Sequence, residues 1–437
     1  MKISRPLVLI ASITAVALLT NLINFATTTT RFSVSYPPVV CPPAVTGVTS
    51  AISLASTKVP LRTTGSKSGA LKPANSTRYL QKSNPAIIDA QGTTSVTWQF
   101  KPGKWAGAVI CSSSISSQWF VGGSADVTSQ GKLLLVNSGL SGAVADIGIW
   151  TENGIQTSKS VTLKSDSFQT IGLDSLAPGS QNLAVRIQVR SGRLNAFMID
   201  ERGRGLRALG GDLVNAIPEP TKSLNIPAIP HLLRIPGKKS SALSHTLRIL
   251  NPGDVSARID VEVVSTDGTF IPVGFEGREI VSGKVLGLKL DPNIPTGKFG
   301  IRITSDQPIL ASVYSQTIAE GKSDFIWSTA VPELQDFRMA ITGLSPQLIF
   351  MGESINVTLE LLFTNGKRKS PKISSQELAV FQVPDGVRSI EFSRVSNGVY
   401  AGALDTSRNG YGYFPLTPGS ALTKASIPTS NIRVLTP

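Results

Sequence analysis

The sequence predicts an all-β protein, with tandem immunoglobulin-like β-sandwiches following a single N-terminal transmembrane helix. Three observations lead there. From Thr94 onward the chain consists of short β-type runs punctuated by turn residues. A segment of the first such region recurs at a fixed offset in the next. And a basic N-terminus precedes a long uncharged apolar run. Composition agrees: 39 glycines, 28 prolines and only 16% charged residues exclude a helical bundle or coiled coil. A chain of 437 residues also exceeds what one core usually organises, so several domains are expected.

In chain order, Lys2 and Arg5 precede Leu7 to Phe25, nineteen residues without a charge. As a helix these span about 28 Å, the thickness of a bilayer core. Residues 1–26 therefore read as a signal anchor, the alternative being a cleaved signal peptide, although a small-x-small cleavage site is not evident. Either way the positive end stays in the cytoplasm and the remainder is exported. The expected location is the cell membrane, single-pass, with the bulk extracytoplasmic, or secreted if the leader is removed.

Residues 27–90 are rich in Ser, Thr, Pro and Gly and carry seven basic groups against one acid. They show no sustained period of 2 or 3.6 and read as a flexible segment. Together with the anchor they hold +8 of the net charge of +14, so most of the excess is topological and linker charge. In an oxidising compartment Cys41 and Cys111, the sole cysteines, are expected to pair. Closing that loop stabilises the fold by about 4 kcal/mol in the chain-entropy model.

Residues 91–216 and 217–340 read as two related β-sandwiches. Leu133 to Gly154 aligns without gaps to Leu247 to Gly268, identical at Leu133/Leu247, Asn137/Asn251, Gly139/Gly253, Ala143/Ala257, Asp146/Asp260 and Gly154/Gly268. Asn153-Gly154 and Asp267-Gly268 supply hairpin turns, and Ile259, Val261 and Val263 alternate with Asp260 and Glu262. The stretch Ile217 to Pro236 marks the boundary. Residues 341–437 form a third unit, with Ile355, Val357, Leu359, Leu361 and Phe363 on one face of a strand ending at Asn365-Gly366. It is similar to the immunoglobulin-like modules of bacterial surface proteins, without the disulfide and tryptophan of antibody domains.

One combination of motifs resembles a known family. Cys41-Pro42 soon after the anchor, Cys111, Trp119 to Gly123 (WFVGG), Leu135 to Gly139 (LVNSG), Thr151 to Gly154 (TENG), Leu176 to Gly179 (LAPG) and Ala184 to Val189 (AVRIQV) occur in that order. The order resembles uncharacterised secreted or membrane-anchored actinobacterial proteins with two tandem β-units, over residues 1–340. The resemblance implies an envelope location and a tandem β architecture, with no catalytic residues to carry over. The long loop, Val121 in place of an expected proline, and the third unit depart from it.

Chemistry-bearing motifs are sparse. No Gly-x-Ser-x-Gly elbow occurs, and Ser129 to Lys132 fits Ser-x-x-Lys by spacing but sits beside Gly131 before a strand, as a polar turn. Gly321-Lys322-Ser323 lacks the leading glycine of a phosphate loop. Asp200-Glu201 and Glu276/Glu279 are carboxylate pairs by proximity and read as solvated surface charge; Asp146 and Asp260 read as structural. Lys367 to Lys369 with Lys372 reads as a solvated hairpin tip. Trp98, Trp105 and Trp119 cluster around Cys111, packing a core or stacking on sugars. No catalytic, cofactor or metal residues are expected, and no nucleic-acid binding. Partners are expected to be the membrane, through the N-terminal helix, and a cell-wall polymer or envelope protein. The function expected is non-enzymatic action in surface or wall assembly through protein or glycan contacts; a carbohydrate-binding accessory module is the alternative, and a wall-polysaccharide hydrolase ranks third.

Overall fold

The computed structural model describes residues 13, 14, 16, 31–66, 69–294 and 296–427. Its architecture is all-β. The anchor, residues 1–26, lies outside the described residues apart from Ile13, Thr14 and Val16. Among the described residues no helix is long and apolar enough to cross a membrane. Arg31–Ser35 pairs antiparallel with Thr423–Ile427 in a small unit of its own. Pro37–Ala421 forms the main unit.

Two four-stranded sheets follow from the alternating runs around Leu133 and Ala145. One orders Ser117–Val121, Leu183–Ser191, Ala143–Thr151 and Gly154–Leu163; the other orders Ser167–Gly172, Lys132–Asn137, Leu194–Arg204 and Arg207–Val214. Ala145, Ile147 and Ile149 of the first sheet and Leu133, Leu135 and Met198 of the second share one apolar core. Burying each such Leu or Ile contributes about 1.5–3 kcal/mol.

The next sheet is built on one 23-residue strand, Gly297–Ala319. Its first half pairs with Thr221–His231 and Ala257–Ser265, and its second half with His245–Leu250 and Lys322–Thr329. His245–Leu250 and Ala257–Ser265 occupy the places in this pairing that Lys132–Asn137 and Ala143–Thr151 occupy in the preceding sheets. The repeated asparagines act alike. Asn137 Oδ1 accepts Gly139 N at 2.9 Å while Nδ2 donates to Ser141 O at 2.8 Å. Asn251 Oδ1 accepts Gly253 N at 3.1 Å while Nδ2 donates to Val255 O at 2.7 Å. Asp146 pairs with Arg190 on its strand face, and Asp260 accepts Gly277 N at 2.7 Å, which gives both the structural role their position suggested.

The structure corrects two boundaries. Among the described residues of 39–88, expected as a flexible segment, Val39–Cys41, Ala86–Ile88, Pro60–Thr63 and Lys72–Pro73 form a sheet, and Ile52, Leu54 and Ile88 are buried. Strands of two to five residues leave no sustained period to detect, which is why the sequence read as loop. The second correction concerns the third unit, which does not stand on residues 341–437 alone. Phe337–Ala340 pairs in parallel with Thr93–Lys101, and that strand pairs with Thr49–Ser53 and Trp105–Ile110. Val96, Trp98, Ala106 and Ala108 accordingly share a core with Leu348, Leu359 and Phe414. Local pattern carries no sign of such a long-range parallel pairing.

Candidate functional site

Cys41 and Cys111 form a disulfide, with Cα atoms 4.4 Å apart and both residues buried. Backbone bonds between Val40 and Ser112 flank it. The bridge thereby fixes the short N-terminal sheet to the end of Trp105–Ile110.

The tryptophans around it divide. Trp98 is 4% exposed and Trp105 0%, both in core, so neither offers a ring face to a sugar; packing, the other reading open for them, accounts for both. Trp119, likewise 4% exposed, is also a core residue, packed with Val121 and Ile217, but it borders a cleft in which Trp150 is the more accessible ring. The neighbour of Trp119 across the ladder is Arg186, which in turn faces Gly148 on Ala143–Thr151. All three lie on the sheet face turned away from that sheet's own core. Because Gly148 has no side chain, the ring of Trp150, two residues on, lies down over it; a Cβ there would meet that ring at 2.9 Å. Trp119 and Trp150 are thus brought to 5.0 Å between centroids, and the Arg186 guanidinium sits 4.9 Å over the Trp119 ring while its Nε donates to Ser117 Oγ at 3.1 Å. The cleft, about 740 Å³, is completed by Glu219, Asp254 and Asn251 from the following segments. Among the described residues neither Glu219 nor Asp254 makes an ion pair. Trp150 and Arg186 were not singled out by sequence reasoning. The signal that could have found them was Gly148 inside the run Ala143–Thr151, a glycine within a strand pattern.

A second cluster is closed. Asp200, read from sequence as solvated, is buried: it accepts Trp327 Nε1 at 2.9 Å and the Arg202 guanidinium at 2.8 and 3.2 Å. Glu201, on the opposite strand face, pairs with Lys101 at 2.6 Å. Nearby, Asp212 accepts Trp327 N at 2.7 Å and Asp324 accepts Gly211 N at 3.0 Å; each leaves one carboxylate oxygen without a partner among the described residues. Burial raises Asp212 well above the usual carboxylate range and pushes Asp324 up to about 8. Arg248, reaching across from the neighbouring strand set to Asn182 at 3.0 Å, is lowered by burial to about 9. None of these carboxylates borders the cleft, and the cluster acts as a polar seam. The histidines, distant from any motif, meet as a buried pair, His231 Nδ1 to His245 Nε2 at 2.9 Å, with His245 lowered to about 3 by burial and then by His231. Among the described residues no group of His, Cys, Asp or Glu could hold a metal ion.

The remaining sequence candidates are structural or exposed. Ser129 Oγ accepts Gly131 N at 3.3 Å within a turn, Gly321 lies in the hairpin joining Ala319 to Lys322, and Glu276 and Glu279 are exposed. Arg368–Lys369 forms an exposed hairpin strand.

No curated protein matches the chain. Among solved structures, the crystal structure of Thermotoga maritima 1070 is 17% identical, covering 26% of this chain and 94% of its own, with a TM-score of 0.22, too low to inform the fold. A family model matches residues 65–378, from the N-terminal sheet into the strand Lys372–Gln382. The chain belongs to that family, DUF5719, a family of unknown function.

Proposed function

We propose that the protein is a non-enzymatic, membrane-anchored cell-envelope protein of the actinobacterial kind its motif order resembles. In this reading tandem immunoglobulin-like β-sandwiches stand outside the cytoplasm and act in surface or wall assembly through glycan or protein contacts. The observation that carries it is the Trp119–Trp150–Arg186 cleft. A sugar offers an apolar C–H face, which the half-buried ring of Trp150 accommodates, and a rim of hydroxyls, which Arg186, Glu219 and Asp254 can bond. The disulfide supports an oxidising compartment.

The test is titration of the full chain with purified wall polysaccharides. Saturable binding that falls at least tenfold in Trp150→Ala is expected. Binding indifferent to Trp150→Ala removes the cleft from the proposal, and turnover of the polymer overturns the non-enzymatic part. The carbohydrate-binding accessory reading uses the same cleft; co-purification of a wall hydrolase with the chain would favour it.

A further inference from the structure

Beside the cleft lies a second, different pocket of about 280 Å³. Phe120, Phe197, Ala196, Ala216, Pro332 and Pro418 are among the residues that line it, and none of its lining residues is charged. Ser, Thr and Asn side chains also line it, but of its two amides Asn215 spends its donors on Ala108 O and Tyr413 O, which leaves Gln118. Gln118 is 2% exposed; its Oε1 accepts Ala196 N at 2.8 Å, and its Nε2 has no partner among the described residues. The amide therefore presents a fixed donor at an apolar wall. A charged group here would be buried without compensation, so the pocket selects an uncharged, apolar occupant carrying an acceptor.

The two hollows share a wall. Ile115 and Pro218, both exposed, border the apolar pocket on one side and the Trp119–Trp150–Arg186 cleft on the other. We infer that they form one bipartite site for an acylated saccharide: the sugar on the aromatic, charged side, the acyl chain in the apolar pocket, and an ester or amide carbonyl accepting from Gln118 Nε2. This inference rests on the glycan reading of the cleft and adds the ligand class.

The experiment uses the full chain in lipid nanodiscs, with empty nanodiscs as the blank, and equilibrium binding of labelled sucrose monodecanoate, sucrose and methyl decanoate below the critical micelle concentration. The acylated sugar is expected to bind at least tenfold more tightly than either half. Ala216→Phe, which places a ring in the apolar pocket, is expected to reduce its affinity to that of sucrose; Trp150→Ala is expected to reduce it to that of methyl decanoate. Ser113→Leu, on the same pocket wall, replaces Ala216→Phe if that variant does not fold. Equal affinity for sucrose and its decanoate overturns the bipartite site while leaving the cleft reading intact. Binding of methyl decanoate with none of sucrose or wall polysaccharide overturns the cleft reading, and the bipartite site with it.

Discussion

Replacing Asp324 by Asn should change how stability depends on pH more than stability itself. In the folded protein the carboxyl is buried, with Oδ1 accepting Gly211 N and Oδ2 unpartnered and packed against Gly410, where an added Cβ would lie 2.5 Å away. Burial raises its pKa from 3.8 to about 8. Between those values the unfolded chain has released the proton while the folded protein keeps it, so folding takes up a proton and stability falls as pH rises. One such group contributes a slope of about 1.4 kcal/mol per pH unit, a total loss of roughly 6 kcal/mol across the window, after which the dependence flattens. Asp212 is raised in the same direction and adds its own slope. Urea unfolding followed by tryptophan fluorescence from pH 5 to 8 should show wild type losing stability steeply and Asp324→Asn losing less, by about 1 kcal/mol per unit. The comparison of slopes cancels any fixed steric cost of the amide. Parallel curves would refute the reasoning, because they would mean the carboxyl ionises in the folded state as easily as in the unfolded one.

Three further outcomes are expected. Replacing Cys41 and Cys111 together by Ser should lower stability by about 4 kcal/mol, the entropy of the released loop, read as a drop in the urea midpoint with an m-value that rises as the freed unfolded chain exposes more surface. Gly419→Ala should destabilise by more than about 2 kcal/mol, because the new Cβ would meet Cys111 O at 2.2 Å and neither backbone can yield; a neutral result in thermal unfolding would contradict the packing at that corner. Asn137→Ala and Asn251→Ala should each cost about 1–3 kcal/mol and resemble one another, since the same turn carbonyls and amide lose their partner; a large effect at one and none at the other would break their equivalence.

Much of this was written in local pattern. The alternation at Ile259, Val261 and Val263, the Asn-Gly and Asp-Gly dipeptides, and the matched Asn137 and Asn251 predict strands and turns that the structure contains. The cysteine pairing followed from there being two cysteines and one way to join them. What was hidden is non-local. The partners of Thr93–Lys101 lie on Phe337–Ala340, and the buried placement of Asp200 depends on Trp327 from a distant strand. Trp105 offered the same aromatic signal as Trp119, and only tertiary packing put both in cores and one of them, Trp119, at the border of a cleft. Trp150 carried no motif, and its role rests on a glycine two residues earlier.

The parallel pairing of Arg338, Met339 and Ala340 with Thr93, Thr94 and Ser95 also constrains the order of assembly. A chain made from its N-terminus presents Thr93–Lys101 early, yet this ladder cannot close until residue 340 has been made. The Thr93–Ser95 end of that strand has to wait for this partner through the synthesis of everything between, which leaves it a point of mispairing until then. The Cys41–Cys111 loop, by contrast, lies wholly within the earliest part of the chain. Closing it first would hold Thr49–Ser53, Thr93–Lys101 and Trp105–Ile110 together as a template, ready for the C-terminal strands when they arrive.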